Sequence, residues 1–135
     1  MSKENVEIVK CYVEMWSRGD VEGALAFTHP DVLIHEPPSL PYGGTHRGVG
    51  AVRMMLQNIA EQWEVAGQVK IETLDGGENT VFNCIQFPAR SRKTGKEILI
   101  DVIEKNTLRD GKVVENKVYY WDTHACLQAL GLDGK

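Results

Sequence analysis

The sequence lacks most of the features that assign a protein quickly. Its cysteines are few: Cys11, Cys84 and Cys126 are odd in number, far apart and in no metal-ligand spacing. That excludes a disulfide framework and reads as free thiols in a reducing cytoplasm. No apolar run is long enough to span a bilayer, and the N-terminus MSKENVEIVK is charged and has no signal-peptide core. The expected location is therefore cytoplasmic. Positive charge is in short supply, with 15 Lys and Arg against 19 Asp and Glu and a formal net charge of -4. Such a balance offers no general attraction to nucleic acid or to an acidic membrane. There is no nucleophile elbow, phosphate-binding glycine loop or dinucleotide fingerprint. His29, His35, His46 and His124 form no helical i, i+4 pair and no ligand set, so neither metal nor cofactor is expected. Repeats, low-complexity tracts and linkers are absent as well.

What remains is 135 residues, 42% of them hydrophobic, which is enough for one domain, 1–135, with its own core. Val6, Val9, Val13 and Trp16 recur at helical spacing over 3–17, with Tyr12 flanking that face. Asp20 suits the cap of a second short helix reaching about Phe27. Residues 31–36 alternate as a strand, 37–47 form a Pro/Gly-rich loop, and a third helix is expected from about Val49 to Glu64. The period then changes to two. Segments 68–75, 79–90, 96–107 and 113–121 read as strands, with glycine turns at Gly76-Gly77, Thr94-Gly95 and Asp110-Gly111. A last helix, Thr123 to Leu130, stops at Gly131. Helices followed by a meander define an α+β fold: a curved, mostly antiparallel sheet covered by helices, with a pocket in its concave face.

The stretch DVLIHEPPSLPYGG places Glu36 on the same strand face as Val32 and Ile34. A carboxylate on an apolar face resists ionising and becomes a stronger base, although a strand-end Glu is often only a solvated rim residue. A two-residue turn at Asp110-Gly111 aligns the last hairpin so that Ile100 faces Trp121, Val102 faces Tyr119 and Glu104 faces Lys117, all on one side of the sheet. A bulge or a one-residue slip would spoil that register. Glu104 is then either a protonated donor or an ion-pair partner of Lys117. Tyr12 is either core or a donor to a developing oxyanion. Glu36, Tyr12 and Glu104 together would suit proton transfer next to a carbonyl. Ile34, Val102, Lys117, Tyr119 and Trp121 are the expected substrate contacts.

Three segments, WSRGDVEGALAFTHPDV, HEPPSLPYGGTHRG and DVIEKNTLRDGKVVENKVYYWDTHACLQALG, carry a resemblance over nearly the whole chain. It resembles the nuclear transport factor 2-like superfamily, in its SnoaL-like and ketosteroid isomerase-like branch. The resemblance implies a cone-shaped α+β barrel, three N-terminal helices around an internal pocket, and a homodimer through the convex sheet face. It also implies site residues. Tyr12 stands eight positions before Asp20, Glu36 precedes Pro37 at the end of the first strand, and Glu104 ends IDVIE, as the isomerase pattern requires; Trp121 matches a pocket tryptophan. Both carboxylates are Glu where the isomerases have Asp. The Arg-x-Asp pattern of the superfamily's epoxide hydrolases is missing, since Leu99 stands two residues before Asp101. The expectation is a cofactor-independent isomerase or polyketide cyclase acting on a small apolar carbonyl compound, with Glu36 as base. The alternatives are a non-catalytic ligand-binding or dimerisation module, and a hydrolase or dehydratase using Asp122 or His124.

Overall fold

A computed structural model describes residues 2–134. Its elements run α1 (Ser2–Ser17), α2 (Val21–Leu25), β1 (Thr28–Glu36), β2 (Gly44–Arg47), α3 (Gly48–Gln62), β3 (Trp63–Val65), β4 (Lys70–Asp75), β5 (Thr80–Ser91), β6 (Glu97–Arg109), β7 (Lys112–Tyr120) and α4 (Thr123–Leu130). The expected α+β order holds. Two short strands were not foreseen: β2 forms inside the Pro/Gly-rich segment, and β3 continues directly from α3. Asp20 caps α2 through the Gly23 amide, and Gly131 ends α4 in the left-handed region.

The strands form one curled sheet in the order β2-β1-β7-β6-β5-β3, with β4 also paired to β5. β5 is long enough to serve both: Lys70–Asp75 pairs with one end and Trp63–Val65 with the other. β1 and β7 run parallel, and every other strand pair among the described residues is antiparallel. The helices pack against one side, α1 on β4 and β5, α3 on β1 and β2, α4 on β5 and β6. On that concave side lie Val32, Ile34 and Glu36 of β1, Asn83 and Ile85 of β5, Ile100 to Asn106 at alternate positions of β6, and Asn116 and Val118 of β7. Most of the core forms one large cluster; a smaller one around Val9, Tyr12, Val81 and Val113 lies where α1 meets the sheet.

The β6–β7 hairpin turns at Asp110-Gly111 as expected, but its register does not persist. Arg109 faces Lys112 and Leu108 faces Val113, whereas Thr107 already faces Glu115. Val114 is the extra residue of a β-bulge. Beyond it every side chain of β7 lies on the opposite face from the one a simple hairpin gives. Glu104 therefore faces Val118, not Lys117, and Val102 faces Tyr120, not Tyr119. The expected contacts Lys117, Tyr119 and Trp121 fall on the outer face: Tyr119 is 50% and Trp121 86% exposed. The Lys117 ammonium sits 5.5 Å from the Tyr119 ring centre, so it forms no pair with Glu104. Trp121 lies just past the strand, its amide donating to the Asp101 carbonyl.

Candidate active site

Helices and sheet enclose a cavity of about 270 Å³. Its walls are mainly apolar, from Trp16, Leu56, Ile59, Ile85, Phe87 and Val118, and it also holds Val102. Two carboxyls line it, Glu36 and Glu104, along with Tyr42 and Tyr120. The charged side chains that touch it besides these are Arg18, Glu64 and Arg92. Arg18 pairs with Glu14, and Arg92 with Glu64, all at least partly exposed. Ile34 is fully buried in the core cluster but is not among the lining residues; as a substrate contact it is corrected to a packing residue.

Glu36 is only 5% exposed, which rules out the solvated-rim reading. Burial, and then the charge of Glu104, push its carboxyl up to about 8, against which the Tyr120 hydroxyl bond acts weakly. Its Oε1 is buried without a hydrogen-bond partner among the described residues. Tyr120 and Tyr42 hydroxyls lie 3.0 Å apart, and the Trp63 indole N–H donates to the Tyr42 hydroxyl at 3.1 Å. Trp63, Tyr42 and Tyr120 thus form a hydrogen-bonded row ending at Glu36. Burial raises both tyrosines well above the usual phenol range, so both stay neutral.

The loop between β1 and β2 puts Tyr42 there. Leu40 donates to the Pro37 carbonyl and Gly43 to the Leu40 carbonyl, a tight return that sends Leu40 and Tyr42 into the core. Gly43 is required by close approach: a Cβ there would run into the Pro37 carbonyl oxygen.

Glu104 is 6% exposed. Burial raises its pKa, while hydrogen bonds from Asn83 and Asn116 lower it. The Asn83 Nδ2 donates to Glu104 Oε1 at 3.1 Å. Behind it the Thr73 hydroxyl donates to Asn83 Oδ1 at 2.8 Å. Asn116 Nδ2 donates to Asn106 Oδ1 at 2.7 Å, and Asn106 Nδ2 to the Val81 carbonyl at 3.3 Å. Asn83, Asn106 and Asn116 are all buried, and buried amides so fully partnered make a rigid support. Tyr12 is buried beside this group, in the smaller cluster. Burial, then Glu104, then Glu36 raise its phenol, so it senses both carboxyls while contributing no lining surface.

The structure places Glu36 and Glu104 on one cavity, but Tyr12, expected as a donor to an oxyanion there, is buried in the smaller cluster and is not among the lining residues; Tyr42, Tyr120, Trp63 and three asparagines, which the sequence reading did not single out, lie on or behind the cavity wall instead. Asparagines at apolar-face positions of β5, β6 and β7 were a readable signal. Tyr120 was hidden by the bulge. Asp122 and His124 have other places: Asp122 caps α4 through the Ala125 amide, His124 is exposed, and neither lines the cavity. His35 points away from Glu36, bonding Thr45 and Glu115.

A family model described as SnoaL-like domain matches residues 9–116. Among solved structures, an NTF2-like protein from Burkholderia xenovorans is 31% identical, with a TM-score of 0.85 over 96% of this chain and 98% of that one. The protein TerC, co-crystallized with polyporic acid, is 23% identical, with a TM-score of 0.79 over 95% and 98% of the two chains. A candidate polyketide cyclase from Xanthomonas campestris is 20% identical, with a TM-score of 0.81 over 95% and 97%. No curated protein matches the chain.

Proposed function

The chain belongs to the SnoaL-like domain family, and on that premise we propose that it is a cofactor-independent enzyme that moves a proton at the carbon beside a carbonyl. The observation that carries this reading is the buried carboxyl pair: Glu36 and Glu104 share one apolar cavity, and Glu36 keeps an oxygen with no hydrogen-bond partner among the described residues. Two neighbouring carboxyls in an apolar cavity cannot both ionise readily, so one serves as base and the other as hydrogen-bond donor. Tyr12, buried and kept neutral, adds no charge beside them. Isomerisation and aldol-type cyclisation share this first step. The substrate is a small, largely apolar carbonyl compound of roughly one or two rings, by the size and lining of the cavity. The protein acts as a homodimer, its exposed Leu99, Ile103 and Tyr119 covered by a second copy.

The test is exchange of carbon-bound hydrogen for deuterium, followed by proton NMR in D₂O, over a panel of cyclic ketones and diketones. Polyporic acid belongs in the panel, since it was co-crystallized with a neighbour of the same fold. The expected result is exchange catalysed by the wild-type protein and lost by about 100-fold or more when Glu36→Gln and Glu104→Gln are combined. Compounds that bind and show no accelerated exchange would overturn the reading in favour of a ligand-binding module.

A further inference from the structure

The hydrogen-bond donors around the two carboxyls are not shared evenly. On the Glu104 side, orientation is fixed from the backbone outward. The Val81 carbonyl can only accept, so it holds the Asn106 Nδ2. The Asn106 Oδ1 is then free to accept only, and it holds the Asn116 Nδ2. That places the donor end of Asn116 beside Glu104, to which Asn116 also hydrogen-bonds. Asn83 adds its own Nδ2 at 3.1 Å. Glu104 thus meets two amide donors whose orientations are set by groups behind them. Such a setting solvates a carboxylate in place of water.

The Glu36 side is arranged differently. The Trp63 indole can only donate, so Tyr42 accepts from it. Tyr42 is then free to donate to Tyr120 across 3.0 Å, and Tyr120 to Glu36. This contact lowers the Glu36 pKa only after burial and Glu104 have raised it. The Oε1 of Glu36 is buried with no hydrogen-bond partner among the described residues. A charged oxygen left bare in a buried site is costly, whereas a hydroxyl there is far less so. A proton on Oε1 also leaves the row of donors undisturbed.

We propose that Glu104 is the carboxylate of the pair and Glu36 the carboxylic acid, so that Glu104 removes the substrate proton and the Oε1 hydroxyl of Glu36 donates to the carbonyl oxygen. This reverses the roles the sequence pattern implies. The step balances without a further reactant. The C–H proton passes to Glu104, its electron pair becomes the C=C bond, and the carbonyl π pair moves to oxygen, which takes the Glu36 hydrogen bond. Return of the proton from Glu104 to carbon restores the pair. Asn83 and Asn116 act through Glu104 and are positioning residues. The titratable groups around the pair are Tyr12 from α1, Tyr42 from the β1–β2 loop, Tyr120 from β7 and Cys126 from α4, all raised and neutral at pH 7. Arg18, Glu64 and Arg92 are the charged residues lining the rest of the cavity.

The assignment rests on the proposed proton transfer for its chemistry, but its test does not. Side-chain carboxyl ¹³C shifts of the free protein, followed against pH, report each proton directly, with Glu36→Gln and Glu104→Gln assigning the signals. Glu104 should lose its proton first. A neutral amide mimics the protonated form, so the two variants have unequal effects. Glu104→Gln removes a charge that Glu36 feels and should lower the Glu36 midpoint by about one pH unit or more. Glu36→Gln should leave the Glu104 midpoint nearly where it was. Asn83→Leu should raise Glu104, and Asn83→Gln should restore part of that shift. The opposite order of ionisation, or the opposite asymmetry between the two Gln variants, would overturn the assignment even if deuterium exchange were found. If exchange fails while the order holds, the proton assignment stands and the reaction does not.

Discussion

Glu36 sits where its charge is poorly tolerated, and stability should record that. Its carboxyl has an ordinary pKa of 4.5 and is raised to about 8 in the folded chain. Folding therefore favours the protonated form. The stability gained from holding that proton is complete below about pH 4.5 and is lost as pH rises through about 8. Glu36→Gln has no charge to bury. It should match or slightly trail wild type at pH 5 and exceed it by about 5 °C or more in Tm at pH 9. Glu104, also raised, keeps some downward slope in the variant. A constant offset between the two melting curves across that range would refute the account. At this scale much of the site was legible. Glu36 and Glu104 betray themselves as carboxylates among aliphatic residues of the same parity. Tyr12 was legible as a buried phenol on the inward side of α1. The asparagine supports were readable as amides at apolar-face positions, but which groups they bond was not. Their chemistry comes from Val81, a backbone carbonyl that no side-chain pattern announces.

Among the elements, the β1–β2 loop does more than connect. Its proline and glycine composition marks a turn but gives no hint that the loop delivers Tyr42 to the cavity. Gly43→Ala tests this link between loop and site. The added methyl meets backbone, so the loop must open, at a cost of about 2 kcal/mol or more. Tyr42 should lose its place between Trp63 and Tyr120. Two readouts are expected together: a lower Tm, and a changed Trp63 indole N–H shift in the proton NMR spectrum. A lower Tm with the indole signal unmoved would separate the loop from the tyrosine row. Helix and strand boundaries were readable because caps and glycine turns are local. The register of β6 against β7 was not, because it depends on a bulge at Val114 whose residues, Val113 and Val114, look like uninterrupted strand. One extra residue there moved Lys117, Tyr119 and Trp121 outside and drew Val118 and Tyr120 in.

At the scale of the molecule, order of elements and family agree, and a SnoaL-like fold hosts the site without naming a substrate. The outer sheet face carries its own message. Leu99, Ile103 and Tyr119 are large apolar residues near half exposure, with Trp121 beside them. Replacing Leu99 and Ile103 by Lys should convert a dimer to a monomer in sedimentation velocity while leaving the cavity intact; a monomeric wild type at micromolar concentration would remove the dimer from the proposal. Both surfaces depend on Val114. Because strand parity is binary, losing or gaining a single codon at this point would exchange lumen for exterior along the rest of β7. A lineage that did so would present a lysine, a tyrosine and a tryptophan to its ligand and offer a different face to its partner. The same single residue that breaks the simple hairpin register is thus also a route by which such a chain can acquire a new pocket.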